Sequence, residues 1–432
     1  MSVTVATAGA TGSHTPARAV IVGAGIGNVL EWYDFGAFVL FSRYFSMQYF
    51  HEADATAALL SALAVFAVGF LLRPLGGVYF GWLSDRRGRR FAMLASMSVT
   101  AAGCLVIGLA PTYSSIGLAA PLLLVAGRLA QGFGLGGEIG ASFTYLVESA
   151  PTSRRGLWAS TMFIAVTAGS LLATIVGLAL TQMFSAGEMQ RYGWRIPFLL
   201  GALLGVYALV LRGRLEETAT FVHEQAEARK HAARGMLASI VENRWPICMV
   251  ILLTAGPTLT FNTWVYGAIT YAAHFHGLDA RSALRALMTG LIVFAVVHPA
   301  WGALSDRIGR KPNLLIGTLG SALVIVPLLM WIDHGFWHTT GAICGGLVVL
   351  AAWTSIAPAV YAELFPTHIR ATGMAIPYSL TVAIFGGTAP FLQNWLADQG
   401  HLPWFAGYVI GLNLLTVVAI LLMPETRGRS LG

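Results

Sequence analysis

The sequence predicts an all-α polytopic membrane protein in which twelve transmembrane helices form two pseudo-symmetric bundles of six. Three observations lead to this fold class. Of the 432 residues, 56% are hydrophobic and only 10% are charged, whereas a soluble domain has about 25% charged residues. Twelve apolar runs are each long enough to cross a bilayer, and short passages of the first half recur in the second half.

The apolar runs have lengths close to the roughly 20 residues that a membrane helix needs. In chain order they define predicted spans 1 to 12, near residues 19–45, 56–83, 91–110, 118–147, 157–184, 194–211, 245–273, 283–303, 313–332, 338–364, 371–396 and 403–423. The predicted units are therefore a disordered tail over 1–18, a bundle over 19–211, a connector over 212–244, a bundle over 245–423 and a tail over 424–432.

The positive charges predict the orientation of these spans. Of the 26 Lys and Arg residues, 19 fall in the two tails and in the loops on their side of the membrane, and 5 fall in the opposite loops. Loops rich in Lys and Arg stay in the cytoplasm, so both termini are expected there, in a bacterial inner membrane. The net charge of +7 then reflects topology and not nucleic-acid binding. Cys104, Cys248 and Cys344 lie far apart in apolar runs, where we interpret them as small hydrophobic residues.

An internal repeat relates the two halves. The passage GWLSDRRGRR at 81–90 returns as GALSDRIGRK at 302–311, with seven of ten positions identical. The pattern Glu-x-x-Pro-Thr-x-x-Arg at 148–155 returns at 363–370. All copies lie on the predicted cytoplasmic side, so the halves share one orientation, as in transporters built from two parallel repeats.

The repeated loop passage resembles the loop motif of the major facilitator superfamily. Other passages resemble its metabolite:H+ symporter family, namely GNVLEWYDF (27–35), GFLLRPLGG (69–77), RLAQGFGLGGEIG (128–140), GWRIPF (193–198) and AIFGG (383–387). That family includes carriers of 2-oxoglutarate, citrate, shikimate, and proline or betaine. The resemblance implies alternating access around a central cavity lined by spans 1, 4, 7 and 10.

Charges inside the spans are the candidate proton-coupling residues, because each costs a few kcal/mol to insert (on the order of 3 kcal/mol) and is therefore functional by default. They are Glu31 and Asp34 in span 1 and Arg128 and Glu138 in span 4. The resemblance places Asp34 across from Arg128. A substrate anion that competes for the arginine would leave the acid free to take a proton. A static ion pair that fixes helix packing is the alternative. Arg73 is expected to be structural, near a kink in span 2.

The candidate substrate contacts are mostly polar and aromatic residues of the cavity-lining spans. They are Asn28, Tyr33, Arg128, Gln131, Asn262, Trp264, Tyr266, Tyr361 and Tyr378. The second half has no central charge, which suggests proton coupling in the first half and recognition of substrate shape in the second. Span 7 keeps only Tyr271 of the aromatic pattern seen in the family, so the substrate is not carried over from any one relative.

The candidate gate lies at the predicted cytoplasmic ends of the spans. Its residues are Asp85, Arg86, Gly88, Arg89, Glu148 and Arg155 in the first half, and Asp306, Arg307, Gly309, Arg310, Glu363 and Arg370 in the second. The resemblance implies that this cluster latches the outward-facing state. A basic loop that only sets topology is the alternative.

The sequence therefore predicts a secondary transporter that imports a small organic anion, such as a di- or tricarboxylate, by proton symport. A symporter of a zwitterion such as proline or betaine is the main alternative. A proton-driven exporter is a weaker one, because span 5 has no proline. Clustered catalytic residues are missing from the sequence, which disfavours an enzyme. The expected partners are a small anionic substrate and the lipid bilayer, with a monomer as the functional unit, protons as the coupling ion, no metal and no organic cofactor.

Overall fold

The computed structural model describes residues 17–50, 54–87, 89–136, 138–213, 242–332, 335–366, 369–429 and 431. Gly88, the predicted tail up to residue 16 and most of the predicted connector lie outside the described residues. The side chains of Asp85, Arg86, Arg89 and Glu138 lie outside them as well.

Six long helical elements form the first half of the chain. They are α1 (Ala17–Tyr49), α2 (Ala55–Leu71 and Arg73–Arg87), α3 (Arg89–Leu109), α4 (Ala119–Leu135 and Glu138–Glu148), α5 (Arg155–Met183) and α6 (Arg195–Gly213). A side chain caps the start of α2: the Asp54 carboxylate accepts from the backbone N–H groups of Thr56 and Ala57. Such a side chain satisfies N–H groups that have no partner within the helix.

The second half repeats this arrangement. Its elements are α7 (Arg244–Asn262 and Ala268–Phe275), α8 (Ala280–Ile308), α9 (Arg310–Trp331), α10 (Phe336–Thr354 and Ala357–Leu364), α11 (Arg370–Thr381 and Ala389–Asp398) and α12 (Leu402–Leu422). One turn of π-helix interrupts α7 at Thr263–Gly267 and another interrupts α11 at Val382–Gly386. Such turns are rare and frequently occur at functional sites.

The predicted fold class is confirmed. Within the described residues, eight helices are long and apolar enough to cross a membrane, and three shorter apolar helices accompany them at Leu94–Leu109, Ala119–Leu135 and Arg195–Tyr207. With α1, these correspond to the twelve predicted spans. The side of the membrane on which the termini lie stays a prediction.

Glycines bring α2 and α4 into direct backbone contact. A Cβ atom on Gly132 would lie 1.6 Å from the carbonyl oxygen of Gly69, and one on Gly136 would lie 2.0 Å from that of Arg73. Only glycine permits helices to approach this closely. The contact fixes the position of Arg128 in α4 against Gly69 in α2.

Aromatic contacts close the centre between the two halves. Trp32 meets Phe261 with ring centroids 5.2 Å apart, and Phe66 meets Tyr266 at 6.0 Å. Phe163 of α5 stacks on His298 of α8 at 6.0 Å. His298 also has both ring nitrogens within hydrogen-bond distance of neighbours, Phe294 O and Thr354 Oγ1. It is therefore a packed histidine.

Candidate functional site

Asp34 is connected to Arg128 through two neutral side chains. Arg128 Nη1 donates to Oε1 of Gln131 across 2.9 Å, and Gln131 Nε2 donates to Sγ of Cys104 across 3.1 Å. The Cys104 thiol then donates to Oδ2 of Asp34 across 3.2 Å. All three hydrogen bonds in this series donate in the direction of the carboxylate, so together they stabilise negative charge on Asp34.

Arg128 is fully buried and only partly satisfied. Its Nε and Nη2 atoms have no hydrogen-bond partner, although unpaired buried polar atoms are uncommon and costly. Its guanidinium carbon lies 4.5 to 5.2 Å from the ring centroids of Phe38, Phe35 and Phe66. The unpartnered edge faces Gly69, since a Cβ there would lie 3.1 Å from Nε and 3.2 Å from Nη2. In this conformation the edge is therefore covered by the backbone of α2.

A second buried cluster lies next to the first. Arg73 Nη2 pairs with Oε1 of Glu31, and both side chains are fully buried. Nε and Nη1 of Arg73 and Oε2 of Glu31 have no hydrogen-bond partner. The Arg73 guanidinium carbon lies 5.3 Å from the Phe35 centroid and 5.5 Å from that of Phe70. Phe35 is thus shared by two buried arginines.

A small cavity borders the acids of both clusters. Its volume is about 30 Å³, and Glu31, Asp34, Cys104 and Thr100 are among the residues that line it. A space of this size holds about one water molecule. The two carboxylates of α1 therefore face a common small space within the first half.

The second half contributes aromatic hydroxyls and amides near the interface. The Tyr266 hydroxyl lies 3.3 Å from Ser170 Oγ of α5. Tyr378 lies with its ring between those of Phe143 and Tyr361, at 5.7 and 6.1 Å. Tyr266 and Tyr378 therefore contact the first half directly.

The other predicted contacts of the second half pack within that half. The Tyr361 hydroxyl is 2.6 Å from Thr254 Oγ1. The Trp264 ring lies against Gly346, where a Cβ atom would be 2.4 Å from it. Asn262 donates to Thr258 O across 2.9 Å and its Oδ1 has no partner.

The repeated Glu and Arg residues form ion pairs that join the two halves. Glu148 of the first half pairs with Arg370 of the second. Its counterpart Glu363 lies 3.7 Å from Nη1 of Arg155 and 3.5 Å from Nη2 of Arg310. We call the cluster of Glu148, Arg155, Asp306, Arg310, Glu363 and Arg370 the latch. Because each half supplies an acid to the other, the latch holds both halves together at this end.

Asp306 joins the second half to the first helix turn of α5. Its carboxylate accepts from the backbone N–H groups of Gly156 at 2.8 Å and Leu157 at 3.0 Å, and from Arg310 Nη1 at 2.8 Å. A carboxylate at a helix N-terminus is stabilised by these free N–H groups and by the helix dipole. A Cβ on Gly302 would lie only 2.5 Å from the carbonyl oxygen of Gly156. α5 and α8 therefore meet through two glycines.

The residues after α12 extend the latch. Glu425 accepts from the backbone N–H groups of Arg310 and Lys311 at 2.9 and 3.0 Å. Partial burial raises the pKa of Glu425, but its backbone N–H donors, that of Arg427 first among them, outweigh burial and hold the pKa below its ordinary value. The carboxylate is thus charged at neutral pH, as these hydrogen bonds require.

The opposite end of the interface contains more space. A cavity of about 230 Å³ lies there between α1, α2, α7 and α8, with Arg43, Leu59, Thr270 and His274 among its lining residues. The structure therefore pairs a closed latch at one end with a cavity between the halves at the other.

Comparison with known proteins decides the family. The model of the sugar (and other) transporter family matches the chain twice, at residues 20–240 and 212–432. The α-ketoglutarate permease of Escherichia coli (strain K12) is 37% identical over 95% of this chain and 94% of its own length. The chain belongs to the metabolite:H+ symporter family of the major facilitator superfamily.

Other relatives of this facilitator are transporters too. The glycine betaine/proline/ectoine/pipecolic acid transporter OusA of Dickeya dadantii (strain 3937) is 32% identical over 96% of this chain and 84% of its own length. The structure of the proton:xylose symporter XylE bound to 6-bromo-6-deoxy-D-glucose is 20% identical, with a TM-score of 0.72 over 96% of this chain and 97% of that chain. The protein is thus a multi-pass membrane transporter and not an enzyme.

Several side chains of the transporter lie elsewhere than expected. Asp34 and Arg128 do not form a direct ion pair, because Gln131 and Cys104 lie between them. Gln131 therefore links Arg128 to Cys104. The Tyr33 hydroxyl donates to Pro197 O across 2.8 Å, which directs it into the first bundle and not towards the interface. Asn28 is buried in the same bundle.

Two residues of the facilitator contact the buried acids directly, which the sequence analysis did not predict. Arg73 is buried against Glu31, so it belongs to a charged cluster as well as to the helix packing that was expected. Cys104 is not merely a small hydrophobic residue, since it contacts both Asp34 and Gln131. The sequence did contain a signal for Arg73: an arginine within span 2 and an acid within the neighbouring span 1 could have been predicted to pair. The sequence around Cys104 is uniformly apolar, so it offered no signal.

Of the two copies of the loop motif, only the second has its candidate gate residues among the described side chains. Asp306, Arg310 and Glu363 lie in one cluster, as the resemblance implies. Gly309 has a backbone φ of +106°, which favours glycine. Arg307 is exposed, and its carbonyl oxygen accepts from Arg427. The corresponding prediction for Asp85, Arg86, Gly88 and Arg89 lies outside the described residues.

Proposed function

We propose that this transporter imports a small organic anion together with protons across a bacterial inner membrane. The observation that carries the proposal is the directional series of hydrogen bonds from Arg128 to Asp34, with two guanidinium nitrogens that have no hydrogen-bond partner at one end and a buried carboxylate at the other. Arg128 binds the anion, and Asp34 takes the coupling proton. Glu31 and Glu138 are the further candidates for the proton.

The hydrogen bonds from Arg128 to Asp34 explain how binding of the substrate and binding of the proton depend on each other. A carboxylate of the substrate can accept two hydrogen bonds from Nε and Nη2 of Arg128, a geometry that an arginine fork favours. Its negative charge then competes with Asp34 for the same arginine, inside a site of low dielectric constant where charges interact strongly. A proton on Asp34 removes this competition. Anion and proton therefore load together.

The two ends of the interface support alternating access. The latch holds α5 against α8 through contacts that cross between the halves. The cavity at the other end gives the substrate its entry. Opening of the latch while the opposite cavity closes would carry the site from one face of the membrane to the other.

The relatives favour two substrate classes. α-Ketoglutarate is a dianion, and the relative named as its permease supports an organic acid. The relatives named for proline and betaine support a zwitterion. A zwitterion also has a carboxylate for Arg128, so we keep it as the second candidate.

Uptake into proteoliposomes tests the proposal. With the purified protein and an inward proton gradient, labelled dicarboxylates, citrate, proline and betaine are compared for accumulation. We expect a protonophore to abolish accumulation of the organic acid while exchange of labelled for unlabelled substrate continues. Accumulation that persists with the protonophore, and needs no sodium, would contradict proton symport. Accumulation of betaine alone would favour the zwitterion.

A further inference from the structure

We propose that the cavity of about 230 Å³ between the two halves is a second binding site, in which Arg43 holds the organic anion before it reaches Arg128. We call this cavity the vestibule. The inference rests on the proposed function, since it takes the transported anion as the occupant, but it concerns a different part of the protein. Sequence analysis gave Arg43 no part in binding, and none of the described lining residues of the vestibule belongs to the predicted site.

The vestibule has the size and the walls of a small-molecule site. One water molecule needs roughly 10–15 Å³ of such a space, so the vestibule has room for on the order of ten non-hydrogen atoms. Its apolar walls come from both halves, with Leu40 and Leu59 on one side and Ala273 and Leu284 on the other. A ligand in the vestibule would therefore contact both halves at once.

The polar groups of the vestibule suit an anion. Arg43 brings a permanent positive charge, and no acidic side chain is among the described lining residues. The neutral hydrogen-bonding side chains of Tyr44, Gln190 and Thr270 line the vestibule as well. Small-molecule sites commonly combine apolar walls with a few polar groups of this kind. A carboxylate would therefore find a partner of opposite charge there, whereas a cation would not.

The guanidinium of Arg43 is not paired with an acid. Its carbon lies 5.5 Å from the centroid of the Tyr44 ring, and within the described part of the chain no carboxylate is in ion-pair contact with it. His274, which also lines the vestibule, is instead within hydrogen-bond distance of Thr56 Oγ1, at 2.9 Å and in the other half. Arg43 is therefore the group that can bind a carboxylate through two parallel hydrogen bonds.

The vestibule leads to the aromatic contact that covers Arg128. Leu59 lines the vestibule and lies about two helix turns from Phe66 on α2, so both share a helix face. Ala273 lines it too and lies about two turns from Tyr266 on α7. Phe66 and Tyr266 meet with ring centroids 6.0 Å apart, and the Phe66 centroid is 5.2 Å from the guanidinium carbon of Arg128. This contact therefore separates the vestibule from the central site.

The arrangement makes substrate loading a process of two steps. Phe66 belongs to the first half and Tyr266 to the second, so their contact breaks when the halves move relative to each other. An anion can enter the vestibule while the contact is intact, and it can reach Arg128 after the contact opens. Because Arg43 is exposed, its ion pair with a carboxylate is weak, as exposed ion pairs are. The vestibule therefore concentrates the anion beside the central site but does not retain it.

The kinetics of uptake into proteoliposomes test the role of Arg43. Arg43→Gln is expected to raise the KM for labelled α-ketoglutarate about threefold to fivefold, the size expected for one exposed ion pair, with kcat nearly unchanged. Arg43→Glu should raise the KM further. Arg285→Gln is the matched control, because Arg285 is also an exposed arginine and does not line the vestibule. An equal rise of KM in both Gln variants would reflect net charge alone and would overturn the site.

Protection of a cysteine from labelling tests occupancy directly, on the purified protein in detergent. Met47 is exposed and lines the vestibule, so Met47→Cys supplies a thiol that reacts with a maleimide. Cys248 and Cys344 are replaced by alanine in this protein, whereas Cys104 is buried and stays. α-Ketoglutarate above its dissociation constant is expected to slow the labelling by at least about threefold.

Two further substitutions in the reporter protein locate the anion that protects the thiol. Arg43→Gln is expected to remove the protection, and Arg285→Gln is expected to keep it. Arg128→Lys weakens the central site only and is also expected to keep it. Protection that persists in Arg43→Gln would place the anion elsewhere and would overturn the vestibule, whether or not the Arg128 variant folds.

The outcomes separate this inference from the proposed function. If neither α-ketoglutarate nor citrate protects the thiol of a protein that accumulates one of them, the vestibule is overturned and the proposed function stands. If no carboxylate protects the thiol and none is accumulated, both are overturned.

Discussion

The thiol of Cys104 donates to Oδ2 of Asp34 across 3.2 Å, and the same sulfur accepts from Gln131. Cysteine is a weak donor and a weak acceptor. The contact therefore links the carboxylate of Asp34 electrostatically to Arg128 but does not hold that carboxylate rigidly in one position. A link of this kind suits a group that must gain and lose a proton during each cycle.

Cys104→Ala is expected to weaken coupling and to leave the fold intact. The variant loses both contacts of the sulfur, so Asp34 no longer lies at the end of a donor chain. We expect accumulation to fall by about tenfold, or 1.4 kcal/mol, with substrate binding nearly unchanged and with a shifted pH profile of uptake. Cys104→Ser restores a hydroxyl donor and should recover part of the activity.

Cys248 provides the control for this experiment, because it is exposed. Cys248→Ala should transport as the wild type does. A pH profile of uptake that stays unchanged in Cys104→Ala would show that the thiol only fills space.

Asp34→Asn is expected to exchange substrate but not to concentrate it. Asparagine keeps the volume and an acceptor for the Cys104 thiol, but it does not titrate. Without the competing carboxylate, Arg128 should bind the anion at least as tightly as in the wild type, with little dependence on pH. Counterflow and gradient-driven uptake in proteoliposomes measure the two activities. Gradient-driven accumulation by the folded variant would assign the proton to another acid, Glu31 first.

Arg128→Lys is expected to abolish transport although it keeps the charge. Lysine offers a point charge instead of a planar fork, and it cannot both donate to Gln131 and present two parallel N–H groups to a carboxylate. We expect affinity to fall by about 100-fold, equivalent to roughly 2.7 kcal/mol. Calorimetry on the folded variant measures this change, and an unchanged affinity would remove Arg128 from the anion site.

Asp306→Asn is expected to slow or unbalance the cycle more than it weakens binding. The carboxylate accepts from Gly156 and Leu157 across the interface, and its charge contributes to each bond. Loss of a charged hydrogen bond costs about 1.5–3 kcal/mol, so the closed latch should lose population to the open one. Accessibility of a cysteine introduced at the latch, together with turnover, measures the shift.

The matched control for this latch variant is at the other end of the same helix. Asp279 also accepts from two backbone N–H groups, those of Arg281 and Ser282, but it lies within one half. Asp279→Asn should leave the open and closed populations as they are. If both variants change accessibility equally, the effect belongs to helix stability and not to the latch.

The fold was predictable because the bilayer imposes it. Runs of about 20 apolar residues have few alternatives to spanning helices. The internal repeat then identified the halves. The π-helical turns at Thr263–Gly267 and Val382–Gly386 were not predictable. An inserted residue shifts the phase of an apolar stripe by about 100°, but these spans are apolar on nearly every side, so the sequence shows no stripe in which the shift could be recognised.

The site was predictable in its charges but not in their partners. Sequence identified Glu31, Asp34 and Arg128 as buried charges, since charge in an apolar run is conspicuous. It did not show that Arg73 pairs with Glu31, because rotation of α2 about its axis decides which residue faces α1. That rotation is set by the glycine contacts between α2 and α4, which depend on structure on both sides.

The glycine contact between α5 and α8 makes the closed state intolerant of a single methyl group. A Cβ on Gly302 would collide with the backbone of α5, where no rotamer change can relieve the overlap. Gly302→Ala should therefore act as a wedge that destabilises one conformer and leaves the open one unstrained. The purified Gly302→Ala variant should therefore be enriched in the conformer with the latch open. Spin labels on α5 and α8 would report this conformer as an increased distance between the two helices.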